Sequence, residues 1–136
     1  MLLTVSVHVA IRNDDQSIYK HWGVFIDGRR KAEKVILQAM GSDGRFRFDA
    51  EFTDARQLQG LVELVYLCDV ELAKVDAIKD IAEKLPIRNG ISGWNCQDYV
   101  LDLLAALEEK HVIDAQDGGY QELKSSLEKK QERLPE

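Results

Sequence analysis

His21-Trp22-Gly23-Val24-Phe25-Ile26-Asp27-Gly28 is the stretch on which the fold turns. β-Branched and aromatic residues crowd it, and Asp27-Gly28 gives a turn signal before Val35 to Met40 resumes the strand pattern. Residues 21–27 and 35–40 are therefore expected as a β-hairpin. Along an extended strand His21, Gly23 and Phe25 share one face and Trp22, Val24 and Ile26 the other, which predicts a sheet covered on both sides. A hairpin loop centred between Arg29 and Arg30 sets His21 across from Gln38, whose amide oxygen can then hold the imidazole.

Upstream, Leu3, Val5, Val7 and Val9 alternate with polar or small residues, which predicts a first strand over about residues 2–11. The cluster Arg12-Asn13-Asp14-Asp15-Gln16-Ser17 ends it. Downstream, Gly41-Ser42-Asp43-Gly44 is a turn, and Arg45 to Phe52 alternates strictly, giving a fourth strand with one face in solvent. The apolar run Leu61 to Val70 fits a strand or a buried helix, and its β-branched residues favour a strand. Leu72, Val75, Ile78, Ile81, Ala82 and Leu85 then fall on one helical stripe that Pro86 stops. A second helix is expected from Asn95 or Cys96 to about Lys110, and a third, charged one from Tyr120 to Arg133 with a thin stripe of Leu123, Leu127 and Leu134. The fold class is thus α+β: an antiparallel sheet of about five strands against a cysteine-bearing helix and one or two further helices. Residues 1–115 read as a single domain and 116–136 as a charged C-terminal helix or tail, a possible surface for a protein partner.

With 45% apolar and 31% charged residues over 136 positions, the chain can bury a core of its own. A formal charge of −6 with dispersed Lys and Arg leaves no basic face to neutralise phosphates, so neither nucleic acid nor an anionic membrane is an expected partner. No basic leader precedes the first strand, and no apolar run reaches the roughly 20 residues that span a bilayer. The expectation is a soluble, cytoplasmic protein with both cysteines reduced. His8, His21, His111, Cys68 and Cys96 show no ligand spacing, and no glycine-rich phosphate loop is present, so no metal and no cofactor are expected.

Cys96 precedes Val100, Leu103, Leu104 and Leu107 by four, seven, eight and eleven residues, which puts its sulfur on the core-facing stripe. It also lies in the first helical turn, where free N–H groups and the helix dipole favour a thiolate, so a depressed thiol pKa is expected. Asn95 is the N-cap candidate, while Gly90 and Gly93 leave room for a substrate carbonyl whose oxyanion the Cys96 N–H can bind. Cys68 lies inside an apolar run without these features and reads as structural. His21 can accept the thiol proton if a neighbour orients its ring. Tyr19 can donate to an oxyanion, Trp94 can wall a pocket, and Asp98 can contact substrate. Each also has a structural reading: a packed tyrosine, a core indole, and a carboxylate on the helix dipole.

Residues 21–28 resemble the His-Trp-Ala strand and following turn of lecithin:retinol acyltransferase-like proteins, and Asn95-Cys96-Gln97-Asp98-Tyr99-Val100 resembles that family's Asn-Cys-Glu-His-Phe-Val. The resemblance implies the circularly permuted papain-like fold of the NlpC type, in which the histidine strand precedes the cysteine helix. The family's third polar residue is usually a histidine on the strand after the hairpin, where this chain has Leu37-Gln38-Ala39. Its acyltransferases also use an apolar terminal anchor, whereas residues 129–136 here are Lys-Lys-Gln-Glu-Arg-Leu-Pro-Glu, so phospholipid is not the expected substrate. The functional expectation is a thiol-dependent hydrolase or acyltransferase acting on an amide, ester or thioester of a small-molecule or peptide acyl substrate, with Cys96, His21 and Gln38 as its catalytic set. The alternatives are a non-catalytic binding module that keeps the fold, or a peptidase acting on protein tails.

Overall fold

A computed structural model of the chain describes residues 3–14 and 17–132. Five strands, β1 (Thr4–Arg12), β2 (His21–Asp27), β3 (Lys34–Met40), β4 (Arg47–Glu51) and β5 (Leu61–Glu71), are followed by α1 (Val75–Lys84), α2 (Cys96–Glu109) and α3 (Gly118–Lys129). All pairings are antiparallel, in the order β4-β3-β2-β1-β5. The first four strands form a meander, and β5 returns to the far side of β1. The ambiguous run after Leu61 is a strand, and the α+β architecture follows the expected pattern.

The period-2 alternation decides what each sheet face meets. Val7, Val9, Trp22, Val24, Ile26 and Leu37 face the helices and join Tyr99, Val100, Leu103, Leu104 and Leu107 of α2 in the main core. Ala10, Phe25 and Ile36 point the other way, where Ala55 of a short 3₁₀ turn at 55–57 covers them. Both faces of β2 are buried as a consequence.

The hairpin register departs from the expectation. Val24 pairs with Leu37 and Asp27 with Lys34, because a single 3₁₀ turn at Lys31–Glu33 moves the loop centre to between Arg30 and Lys31. The same register carried one step further sets Gly23, not His21, across from Gln38. A shift of two residues preserves which face each side chain occupies, so Gln38 still stands on the His21 side of the sheet.

The C-terminal helix is part of the body rather than an appendage. α3 packs on β5 and buries Tyr120 and Leu127 completely, while the Tyr120 hydroxyl donates to Glu108 Oε2 at 2.6 Å and Lys124 pairs with the same oxygen. The stripe of Leu123 and Leu127 faces the protein's own core and leaves the charged side of the helix, the expected partner surface, outward; Arg133 and Leu134 lie outside the described residues. Among the described residues no helix is long and apolar enough to cross a membrane.

Candidate active site

The first turn of α2 is built by a capping box: Asn95 Oδ1 accepts from Gln97 N at 2.8 Å, and Asp98 Oδ2 accepts from Asn95 N at 3.0 Å. Asp98 Oδ1 accepts from Gln131 Nε2 at 2.9 Å. Both carboxylate oxygens are thus engaged in holding the helix start. Cys96 follows the cap with only 1% of its surface exposed, its sulfur 3.9 Å from the Lys20 carbonyl oxygen.

His21 begins β2 and is also buried, and its Nε2 bonds to Gln38 Oε1 at 2.8 Å. Gln38 Nε2 donates to Asp49 Oδ2 at 3.0 Å and to Glu51 Oε1 at 3.4 Å. Carboxylates only accept, so the amide nitrogen must face β4 and the amide oxygen must face the imidazole. That oxygen also only accepts, which places the proton of the neutral ring on Nε2 and leaves Nδ1 as the basic nitrogen. A residue diagonal to His21 reaches it because Gly23, lying between them, has no side chain in the way. Asp49 and Glu51 are absent from the sequence reading, although a signal existed. A turn centred between Asp43 and Gly44 pairs Gln38 with Asp49, the observed partner.

Tyr19, His21 and Cys96 all line one cleft of about 1180 Å³, walled by the loop after β1 and the turn after β3. Arg12, Asp14, Asp43 and Arg45 line it too, so its charge is balanced, and Ile18, Met40 and Phe46 add an apolar share of the lining. Tyr19, His21 and Cys96 thus share one cleft lining, with Gln38 bonded to His21. Trp94 lies apart: its Nε1 donates to Asp102 Oδ2 at 3.1 Å, and its ring packs edge-on against Phe46 and Tyr99 in the core. Asp98 is likewise absent from the lining. Among the described residues no group of three His, Cys, Asp or Glu side chains is arranged to hold a metal.

Two side chains fix the cleft's far wall. Asn89 Oδ1 accepts from Phe46 N at 2.7 Å, and Asn89 Nδ2 donates to Phe46 O at 3.0 Å, while Gly93 N donates to Asp43 Oδ1 at 3.2 Å. The loop before α2 is thereby tied to the turn before β4. Asn89→Ala leaves both backbone groups of Phe46 without that partner and is expected to cost about 1–3 kcal/mol, read as a lower urea midpoint at unchanged m-value.

The electrostatics reverse the expected ionisation. Burial pushes the Cys96 thiol up to about 11, and the backbone N–H groups of Trp22, Gln97 and Cys96 itself draw it only partway back, while the Asp14 charge raises it further. Desolvation outweighs the helix N-terminus, so the thiolate anticipated from helix position is not the resting form. Burial also lowers His21, against the Gln38 hydrogen bond, which raises it. At neutral pH the pair is thiol and neutral imidazole. Cys68 is pushed to about 12 by burial and then by Asp69.

An α+β domain whose cysteine helix and histidine strand open into one cleft is the class these observations define. Residues 7–114 match DUF6540, a family of unknown function, and the chain belongs to that family. The matched span holds His21, Gln38 and Cys96 and stops short of α3. No curated protein and no solved structure matches the chain.

Proposed function

We propose that the protein is a cysteine-dependent hydrolase or acyltransferase of the permuted papain-like kind, acting on an amide, ester or thioester. The observation that carries this reading is the His21–Gln38–Asp49 chain, which fixes the imidazole tautomer while His21 and Cys96 line the same cleft. His21 Nδ1 takes the thiol proton as Cys96 Sγ attacks the acyl carbon. The resulting imidazolium, held by Gln38 near Glu51, returns that proton to the leaving group as the bond to it breaks. Water or another nucleophile, deprotonated by His21, then releases the acyl group from sulfur. The Cys96 N–H and the Tyr19 hydroxyl supply donors for the oxyanion.

One observation favours a second reading, a binding module: a thiol raised to about 11 is a poor nucleophile unless a base removes its proton during attack. Two pH profiles separate the readings. Alkylation of Cys96 by iodoacetamide follows the thiolate and is expected to climb steadily up to about pH 11. Acylation by a p-nitrophenyl ester, assisted by neutral His21, is expected to be near its plateau by pH 7 and to leave a mass adduct on Cys96. An adduct on Cys68 alone, or acylation that climbs in step with alkylation, overturns the catalytic reading.

A further inference from the structure

Gln97 follows Cys96 and is completely buried, an unusual place for a primary amide. Its Nε2 donates to the Lys20 carbonyl at 2.9 Å and its Oε1 accepts from Glu132 N at 2.8 Å. The Lys20 carbonyl is the same oxygen that the Cys96 sulfur faces. Glu132 Oε1 in turn accepts from Lys20 N at 3.1 Å and pairs with Lys20 Nζ at 3.6 Å, and the neighbouring Gln131 holds Asp98 of the capping box. Two residues beyond α3, outside the family span of 7–114, thus grip both the start of β2 and the start of α2.

We propose that Gln97 is a positioning residue and that Gln131-Glu132 is a strap which, through Gln97, clamps the strand bearing His21 onto the helix bearing Cys96. For its effect on turnover the proposal rests on the catalytic reading; for its effect on the thiol it does not. The clamp closes the gap between Lys20 and the helix and so excludes water from the sulfur, the desolvation that holds the thiol high. The Lys20 carbonyl and the Trp22 N–H face that sulfur from the start of β2, and the charged and titratable groups that act on it are Tyr19, just before the strand, and Asp14 in the preceding loop. Releasing the strap hydrates Cys96, which makes it more reactive to a small electrophile while spoiling its alignment with His21.

The test uses the full chain. Glu132→Pro removes the N–H that Gln97 accepts at a peripheral position, Gln97→Met removes both of its hydrogen bonds, and Glu132→Gln keeps the N–H and an acceptor for Lys20 N. Iodoacetamide is the probe, with Cys68 as internal reference. Glu132→Pro and Gln97→Met are expected to label Cys96 about tenfold faster at pH 7.5, the thiolate gain of one pKa unit. The alkylation midpoint should move down with it, and Glu132→Gln should stay near wild type. Wild-type rate and midpoint in Glu132→Pro overturn the strap, even if Gln97→Met fails to fold. Failure of the catalytic reading is separate: an unmodified wild-type Cys96 after ester treatment leaves the alkylation comparison intact.

Discussion

His21→Ala is expected to slow acylation of Cys96 by about 10²–10⁴-fold, the usual contribution of a positioned general base. The size follows from the resting state. A thiol at about 11 holds almost no thiolate at pH 7, so the proposed acylation depends on proton removal during attack more than one that starts from a preformed ion pair. Alkylation by iodoacetamide at pH 10 should change far less, because solvent hydroxide supplies the thiolate there. Partial recovery of acylation by added imidazole would identify the missing group as a base, and equal losses in both reactions would assign His21 a packing role instead.

The same substitution changes the response of stability to pH. Burial holds His21 below its ordinary value of 6.5, so under acid conditions the unfolded chain takes up a proton that the folded chain refuses. That stability is fully present above about pH 6.5 and is lost as pH falls through the folded value. His8 is lowered by burial as well and adds in the same direction. The wild-type urea midpoint should therefore drop below pH 6.5, and His21→Ala should remove one share of that slope while leaving the share of His8.

Gly23→Ala is expected to disable the site through the sheet. A Cβ at residue 23 would stand 2.6 Å from Ile36 Cγ2 and 3.4 Å from Gln38 Oε1. Ile36 is buried and β-branched, so its Cγ2 methyl cannot swing clear, and overpacking of this kind costs about 1–3 kcal/mol. Gln38 must also move away from the line between its amide and the imidazole, which frees the ring to flip or change tautomer. A lower urea midpoint, together with an acylation loss approaching that of His21→Ala, is the expected pair of results. Normal acylation in a destabilised Gly23→Ala would show that the His21–Gln38 bond is dispensable.

Much of this arrangement is legible in residue patterns. Alternation gives β1 and β4, β-branched and aromatic content with turn signals gives β2, β3 and β5, and helix phase with an Asn cap gives the buried, first-turn position of Cys96. The contact between Gln38 and His21 was reached through a register two residues out, and it survived because parity keeps the face and a glutamine is long enough to reach diagonally. The ionisation was not legible, since two opposing effects meet at Cys96 and only the depth of burial decides between them. Nor was the role of Gln97, whose partners are distant in the chain, or of Trp94, whose neighbours Phe46 and Asp102 decide that it packs rather than lines the cleft.

The ties around Cys96 also set an order of events. Its sulfur meets a carbonyl 76 residues upstream, and the strap that backs this contact spans 112 residues from Lys20 to Glu132. Contacts of such separation require the longest loops to close and slow folding accordingly. During refolding the thiol is expected to stay open to reagent until β2 and α2 have docked and, under the proposed strap, until the C-terminal segment has docked as well. Shielding of Cys96 is thus a clock for the last stage of assembly, and its reactivity marks chains that have not yet finished.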